Sequence, residues 1–150
     1  MSIIFQPADA ADTDTLIEMM HELYAYDGTP FDEHSHRAAL RQLLADERCG
    51  RVWLIQSGAE IAGYVVLTFG FSLEFKGRDA FIDELYLREP FRGQGRGQQA
   101  LDFAADACRA LGIRALHLEV ERRNTRAQTA YRKANFKDHD RYLLTKWLND

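Results

Sequence analysis

Several features that would each define a class of protein are missing from this sequence of 150 residues. It has only two cysteines, Cys49 and Cys108. They stand in no metal-binding or redox spacing, which predicts free thiols in a reducing compartment. No apolar run reaches the roughly 18 residues that span a membrane. The N-terminus has neither the basic start nor the long apolar stretch of a signal peptide. We therefore expect a cytoplasmic protein with no membrane partner.

The composition also argues against a nucleic-acid partner. The net charge is −4 at neutral pH, whereas nucleic-acid-binding domains carry a basic face. Hydrophobic residues make up 46% of the chain and charged residues 28%, which is typical of a globular protein. The length suits a single domain, residues 1–150. The histidines form no ligand spacing and no nucleophilic set with cysteine or serine, so no metal is expected.

Charge is distributed unevenly along the chain. Residues 1–50 contain ten acidic and three basic side chains, whereas residues 101–150 contain seven acidic and ten basic side chains. An acidic first third beside a basic last third is consistent with two ligands of opposite sign. A charged surface also serves solubility alone, and the distribution does not separate the two interpretations.

The most informative stretch runs from Ala80 to Leu101. It predicts a buried strand over 81–87, a turn marked by proline, a glycine-rich loop and then a helix. Gly93, Gly95 and Gly97 remove every other side chain from the loop, so a bulky anion can approach the backbone closely. The helix that follows directs its unpaired N–H groups and positive dipole end at the same place. Together these features predict a phosphate-binding site.

The spacing of the loop identifies its type. Gly-x-Gly-x-Gly is not the Gly-x-Gly-x-x-Gly of a dinucleotide fold, and no Gly-Lys-Ser/Thr follows, so a nucleoside triphosphate loop is also excluded. Arg92-x-x-Gly95-x-Gly97 resembles the pyrophosphate-binding signature of the GNAT superfamily of acyl-CoA-dependent N-acetyltransferases. The preceding segment 83–87 resembles the central strand of that family. Asn124-x-x-Ala127-x-x-x-Tyr131 resembles its second cofactor motif.

The resemblance implies an α/β (α+β) sandwich in which a mixed, mostly antiparallel sheet is flanked by helices. The hydrophobic periodicity predicts the matching order β-α-α-β-β-β-α-β-α-β. We expect Pro7 to end the first strand early and residues 72–79 to form a loop. Strands are predicted at 3–5, 51–56, 61–71, 81–87, 115–120 and 141–147, and helices at 9–26, 33–44, 100–111 and 125–134.

Acetyl-CoA is the co-substrate that the resemblance implies. The glycine loop would hold its pyrophosphate, the backbone of 85–87 would pair with the pantetheine arm as a neighbouring strand does, and Asn124 would hydrogen-bond the same arm. The predicted cofactor-binding residues are Leu85, Tyr86, Leu87, Arg92, Gly93, Gln94, Gly95, Arg96, Gly97, Gln98, Asn124 and Tyr131.

Transfer of an acetyl group to an amine requires an acid for the leaving thiolate and a base for the amine proton. Tyr131 is the predicted acid, because a phenol with a pKa of about 10 stays protonated at neutral pH. A side chain that only packs between helix and sheet is the alternative, and the spacing from Asn124 favours the catalytic role.

Asp83 and Glu84 are the base candidates. Two adjacent acids in an apolar strand are costly unless they are paired or used. Their side chains point to opposite faces unless a bulge intervenes, so at most one is expected to face the acetyl group. The alternative for each is an ion pair with a nearby arginine such as Arg78 or Arg88.

Within the superfamily, segments 21–27, 81–87 and 141–147 resemble the diamine and polyamine acetyltransferases. The resemblance implies direct attack by a primary amine in a ternary complex, with a small di- or polyamine or an amino-acid-like amine as substrate. It also implies a possible homodimer. The acids predicted to attract a cationic substrate are Asp27, Asp32, Glu33 and Asp83.

Two other functions remain open at this point. Acetylation of a protein N-terminus or lysine would require an open groove in place of an acidic pocket. A non-catalytic acyl-CoA-binding sensor would require only the cofactor loop. Tyr131, Asp83 and Glu84 argue against the sensor, because cofactor binding needs none of the three.

Overall fold

The computed structural model describes residues 2–149. Residues up to 119 form one compact unit, and residues from 120 onward form a second. The five strands are β1 (Ile3–Pro7), β2 (Gly50–Ser57), β3 (Glu60–Ser72), β4 (Gly77–Leu87) and β5 (Ala115–His117). The four α-helices are α1 (Thr13–Asp27), α2 (Glu33–Ala45), α3 (Arg96–Ala110) and α4 (Thr125–Lys133). Within residues 2–149, none of the helices has the length and apolar character needed to cross a membrane.

The strands form one sheet in the order β1-β2-β3-β4-β5. The first four are antiparallel neighbours, and β5 pairs with β4 in parallel. The prediction of a mixed, mostly antiparallel sheet flanked by helices is therefore confirmed. Pro7 does not end β1 early, because β1 is an edge strand, where a missing N–H is tolerated.

Local sequence signals set the helix ends in the first unit. Asp9 caps a short 3₁₀ turn, Ala10–Asp12, that leads into α1, and Gly28 at φ 72° ends α1. The side chain of Asp32 caps α2 by accepting the Ser35 N–H at 3.3 Å. These turns make α1 and α2 consecutive helices that pack on one face of the sheet.

The sheet has an apolar core on each face. On the first face, Leu16 and Met19 of α1 and Leu40 of α2 pack against Tyr64 and Val66 of β3. On the second face, the α3 ring of Phe103 contacts Trp53 at 5.1 Å and stacks on Phe5 at 4.0 Å. We refer to these as the α1/α2 face and the α3 face.

A β-bulge interrupts β4 at Asp83. Val66 of β3 pairs with Glu84, whereas the next residue, Leu67, pairs with Ile82, so Asp83 is an extra residue in β4. Because opposed residues of antiparallel strands share a face, the bulge places Glu84 on the α1/α2 face with Val66. It places Ile82 on the α3 face with Leu67. Without the extra residue, Ile82 and Glu84 would share one face.

Two strand boundaries differ from the prediction near this bulge. β4 begins at Gly77, inside the segment that the sequence predicts to be a loop, because β3 and β4 form a hairpin that closes at Ser72 and Gly77. β5 ends at His117 and does not reach 120 as predicted. Its pairing with β4 stops at Phe81, two residues before the bulge, where the ladder is disrupted.

The predicted strand at 141–147 is wrong. Among the residues that the structure describes, none from 134 onward belongs to a strand. The apolar side chains that suggested it, including Leu144 and Trp147, are 90% and 86% exposed. Strand-favouring side chains do not form a strand alone, because the backbone hydrogen bonds require a neighbouring strand.

Candidate functional site

The glycine loop lies between a 3₁₀ turn, Glu89–Phe91, and α3. Gly95 is the N-cap of α3 and has φ 77°, a left-handed conformation that favours glycine. Gly97 is different, because its backbone is helical and a Cβ there would meet no atom of residues 2–149 within 4 Å. Neither conformation nor packing inside the protein requires glycine at position 97. A ligand that approaches the backbone closely would require it.

The start of α3 supplies hydrogen-bond donors beside the open space at Gly97. The first hydrogen bond of the helix runs from the Gln99 N–H to the Gly95 carbonyl at 3.1 Å. The N-cap residue, Gly95, has no side chain that could cap the helix. The N–H groups of the first turn precede that bond, and their dipoles add to a positive potential. The residues therefore fit a pyrophosphate group, as the sequence predicts.

The two arginines of the loop contact the protein. Arg96 is buried, and its guanidinium donates to the Phe91 carbonyl at 3.3 Å and to the side-chain oxygen of Gln94. Arg92 donates from Nε to the Leu87 carbonyl at 2.8 Å. These bonds fix the path of the loop. A direct contact of either guanidinium with the cofactor remains a prediction.

One edge of β4 is available for pairing beyond Phe81. β3 pairs with β4 along its whole length on one side, but β5 pairs on the other side only from Asp79 to Phe81. Among residues 2–149, no strand pairs with the segment 82–87 on that side. This edge leads directly into the glycine loop. An extended ligand chain can hydrogen-bond it as an added strand would.

Glu84 is held by two tyrosines on the α1/α2 face. The Tyr64 hydroxyl donates to Oε1 of Glu84 at 2.7 Å, and the Tyr24 hydroxyl of α1 donates to Oε2. The alternative that an arginine pairs with these acids is wrong for Arg78 and Arg88. Arg78 donates to the Leu111 carbonyl, and Arg88 lies 3.3 Å and 3.5 Å from two glutamates of α1.

Burial raises the pKa of the Glu84 carboxyl above its ordinary value, although both tyrosine hydrogen bonds oppose that rise. The same environment raises the pKa of the Tyr24 and Tyr64 hydroxyls, chiefly through burial and then through the nearby Glu84 carboxylate. Glu84 therefore has one property of a general base, a pKa shifted towards neutrality in a fixed orientation.

Asp83 differs from its neighbour. Asp83 is exposed, yet partial burial of its carboxyl group by neighbouring protein atoms raises the pKa of that group. The structure records no hydrogen bond or ion pair to its carboxylate among residues 2–149. The bulge thus separates a positioned acid, Glu84, from an unconstrained one.

Sequence reasoning missed the side chains around Glu84. Tyr24 packs edge-on against Phe31 at 5.3 Å and against His36 at 5.0 Å, and Phe31 stacks on His36 at 4.9 Å. Tyr24 and Tyr64 lie 60 and 20 residues from Glu84 in the chain. No local motif links them, so a single sequence carries no signal for their contact.

The acids predicted to attract a substrate are not all available. Asp32 caps α2, and its hydrogen bonds with Ser35 lower the pKa of its carboxyl. Glu33 lies 3.9 Å from Arg37 of the same helix. Asp27 is the exposed last residue of α1. Their role in substrate binding remains a prediction.

The second predicted cofactor motif lies in the second unit. Asn124 caps α4, its side-chain oxygen accepting the Ala127 N–H at 3.1 Å, which leaves its NH₂ group as the available donor. Tyr131 lies two turns further along α4, half-buried, with its ring 6.2 Å from that of Phe136. Its role as the acid remains a prediction.

Within residues 2–149, no three side chains of His, Cys, Asp or Glu are grouped so that they could hold a metal ion.

Comparison with known proteins gives a family match that spans most of the chain. Residues 16–136 match the Acetyltransferase (GNAT) family. The chain is 39% identical over 69 residues to the uncharacterized N-acetyltransferase YycN of Bacillus subtilis (strain 168) and 30% identical over 81 residues to the thialysine N-epsilon-acetyltransferase of Bos taurus. These matches cover 46% and 54% of the chain but only 44% and 47% of the relatives, so the chain spans less than half of either protein.

Solved structures share the fold over nearly the full chain. The integron cassette protein HFX_CASS3, from the mobile metagenome of Cole Harbour Salt Marsh, has a TM-score of 0.84 and 34% identity, and the match covers 97% of this chain and 91% of that one. A predicted acetyltransferase of Clostridium acetobutylicum, crystallised with acetyl-CoA, has a TM-score of 0.81 at 18% identity, covering 97% and 96%. At that identity the second comparison shows the fold alone.

Proposed function

The chain belongs to the acetyltransferase (GNAT) family, and we propose that it is an acetyl-CoA-dependent enzyme that transfers the acetyl group to a positively charged primary amine. The observation that carries the proposal is Glu84. It is a carboxylate with a raised pKa, held by two tyrosines at the bulge of the strand whose free edge leads to the glycine loop. The family match spans both compact units, which supports one acetyltransferase domain over residues 1–150.

Glu84 is the general base in this proposal. An amine with a pKa near 10 is mostly protonated at neutral pH, so it must lose a proton before its nitrogen can attack a carbonyl carbon. A carboxylate with a raised pKa accepts that proton more readily than an ordinary surface carboxylate does. The hydrogen bonds from Tyr24 and Tyr64 fix the carboxylate, leaving its remaining lone pairs for the amine or for a water between them.

Acetyl-CoA supplies the acetyl group as a thioester. The attack forms the C–N bond of the amide and breaks the C–S bond, and the electron pair of that bond leaves with sulfur. Tyr131 is the proposed donor of the proton that neutralises the thiolate. The proposed contacts for the co-substrate are the β4 edge at Leu85–Leu87, the loop Arg92–Gln98 with the start of α3, and the Asn124 amide.

Two observations favour a small cationic amine. The first 50 residues, which include α1 and α2 around Glu84, contain ten acidic and three basic side chains. One relative with 30% identity is named a thialysine N-epsilon-acetyltransferase, and thialysine is an amino acid with a terminal primary amine. A di- or polyamine and an amino-acid-like amine both satisfy these observations.

A thiol-release assay with acetyl-CoA tests the proposal over a panel of cationic, neutral and acidic amines and lysine peptides. Wild-type protein should turn over cationic amines best. Tyr131→Phe keeps the ring and removes only the proton donor, so turnover should fall by roughly 10² to 10⁴ while the melting temperature is preserved. Glu119→Gln, at an exposed position, is the control and should match wild type.

The outcomes separate the alternatives. Higher turnover with peptides than with small amines would identify a protein acetyltransferase. Binding of acetyl-CoA without turnover of any amine would identify a sensor and contradict the proposal. If Tyr131→Phe and wild type have the same rate, Tyr131 only packs in α4.

A further inference from the structure

A second carboxylate lies on the same face of the sheet as Glu84. Oδ2 of Asp79 in β4 lies 3.0 Å from Nε2 of His117 in β5. A carboxylate only accepts hydrogen bonds, so the imidazole donates from Nε2 and holds Asp79 in place. The rings of Phe75 and Phe81 pack against His117 with centroids 4.5 Å and 5.0 Å away. No step of the proposed acetyl transfer uses this pair.

The second oxygen of Asp79 is not used by the protein. Among residues 2–149, the structure gives Oδ1 no hydrogen-bond or ion-pair partner. It lies above Gly70 of β3, where a Cβ would be 3.0 Å from it. The Asp79 side chain is 13% exposed and that of His117 is 15% exposed. The pair is therefore rigid and largely covered but still reachable from one side.

The strand register connects Asp79 to Glu84 by a strip of the α1/α2 face. Glu84 is opposite Val66, Phe81 is opposite Thr68, and Asp79 is opposite Gly70. Val66 and Gly70 are four residues apart on β3, which corresponds to about 13 Å along the strand. The helices bury Val66, but Gly70 is exposed and Phe81 is 40% exposed. The strip thus has a carboxylate at each end and an aromatic ring between them.

This arrangement matches a chain with a cation at each end. An ammonium group can bind each carboxylate through charge-assisted hydrogen bonds, and an alkyl chain can cover the Phe81 ring. The aromatic rings beside Asp79 also attract a cation. A molecule with one cation would leave the far carboxylate unused. Such a strip would favour a diamine over a monoamine of the same length.

We propose that Asp79, held by His117, binds the second ammonium group of a diamine whose first amine is acetylated beside Glu84. This inference rests on the proposed function for the position of the first amine. Asp79 is then a specificity-determining residue, not a catalytic one. Its effect should appear in KM and in binding affinity more than in kcat.

The test compares octane-1,8-diamine with n-octylamine, which differ only in the second amine. Binding of each is measured by titration calorimetry with the protein saturated with CoA, and KM is measured in the thiol-release assay. In wild type the diamine should bind more tightly than the monoamine. Asp79→Asn should reduce that preference on the order of tenfold or more, because it removes the charge that the second ammonium binds. Asp102→Asn, an exposed carboxylate of α3, is the matched control and should keep the preference.

A second variant keeps both charges. Gly70 has no left-handed backbone, so Gly70→Ala is compatible with the strand, but its methyl group would crowd Oδ1 of Asp79. It should reduce the preference for the diamine even if Asp79→Asn fails to fold. No preference for the diamine in wild type, or a preference equal to that of wild type in every variant that folds, would overturn the inference.

The two proposals can fail separately. Acetylation of amines with a diamine preference that both variants leave intact would overturn the role of Asp79 and leave the proposed function standing. Diamine binding that depends on Asp79, without acetylation of any amine, would support the second site and contradict the proposed function.

Discussion

At the scale of single residues, the environment of Glu84 leads to a prediction that separates activity from stability. Glu84→Gln removes the proposed base, so turnover should fall by roughly 10² to 10⁴. Asp83→Asn is the matched control on the adjacent residue and should cost much less, because Asp83 is exposed and its carboxylate has no hydrogen bond or ion pair within residues 2–149. A greater loss in Asp83→Asn would assign the base to the bulge residue.

Glu84→Gln should also change how the stability of the protein depends on pH. The pKa of Glu84 is raised in the folded protein, so the folded state binds this proton more tightly than the unfolded state does. The contribution to stability is complete below the unfolded pKa of about 4.3 and is lost as the pH rises through the folded pKa. Wild type should therefore lose stability relative to Glu84→Gln as the pH rises above the unfolded pKa. Urea denaturation at several pH values measures this difference, and a constant difference would contradict the raised pKa.

Tyr24 should tune the pH at which the enzyme becomes active. Its hydrogen bond lowers the pKa of Glu84, against the larger effect of burial. Tyr24→Phe removes that bond, so the acid limb of the pH–rate profile should move to higher pH. The rate should then fall more at pH 6 than at pH 9. A uniform loss at every pH would indicate that Tyr24 only packs against Phe31 and His36.

Individual residues of the site could be predicted from the sequence only where a local motif contains them. The adjacent acids in the strand and the glycines of the loop belong to such motifs. Tyr24, Tyr64 and the Asp79–His117 pair do not, because each contact joins residues that are 20 to 60 positions apart. The fold alone brings those side chains together.

At the scale of elements, Gly97 leads to a prediction in which stability and binding change in opposite directions. Within residues 2–149, no atom lies within 4 Å of a Cβ built there, and alanine is favoured over glycine in helices by up to about 1 kcal/mol. Gly97→Ala should therefore raise the melting temperature of the free protein but weaken acetyl-CoA binding, since the methyl group would occupy the space proposed for the pyrophosphate.

The control for this prediction is Gln99→Ala, an exposed position of the same helix. It should leave acetyl-CoA affinity unchanged in calorimetric titration. Undiminished affinity in Gly97→Ala would show that the pyrophosphate does not approach this turn.

The helices and the glycine loop were predictable because their signals are local: spacing, caps and turn residues. The strands were less so. The pairing of β5 stops two residues before the bulge in its neighbour, and residues 141–147 have strand-favouring side chains but form no strand. In both cases the outcome depends on a partner strand, which propensity does not specify.

At the scale of the whole molecule, uneven charge predicts a dependence on salt. If the acidic first third attracts a cationic amine, raising NaCl from about 0.05 M to about 0.5 M should raise KM, because ions screen the attraction. The effect should be steeper for octane-1,8-diamine than for n-octylamine, since the diamine carries twice the charge. Equal KM values at both salt concentrations would leave the transferase assignment in place and remove the argument for a cationic substrate.

The bulge at Asp83 also determines which changes in length the chain can tolerate. Substituting Asp83 alters one side chain. Deleting it would make the side chains of β4 alternate between the two faces without interruption, so the side chains on one side of the bulge would change face. With the downstream half fixed by Glu84 and Tyr86, Asp79 and Phe81 would rotate into the core under α3, and Ala80 and Ile82 would rotate out of it. A deletion of one codon would thus disrupt both the strip between Asp79 and Glu84 and the part of the α3 core that Ala80 and Ile82 form. In this strand the number of residues is constrained as strictly as their identity.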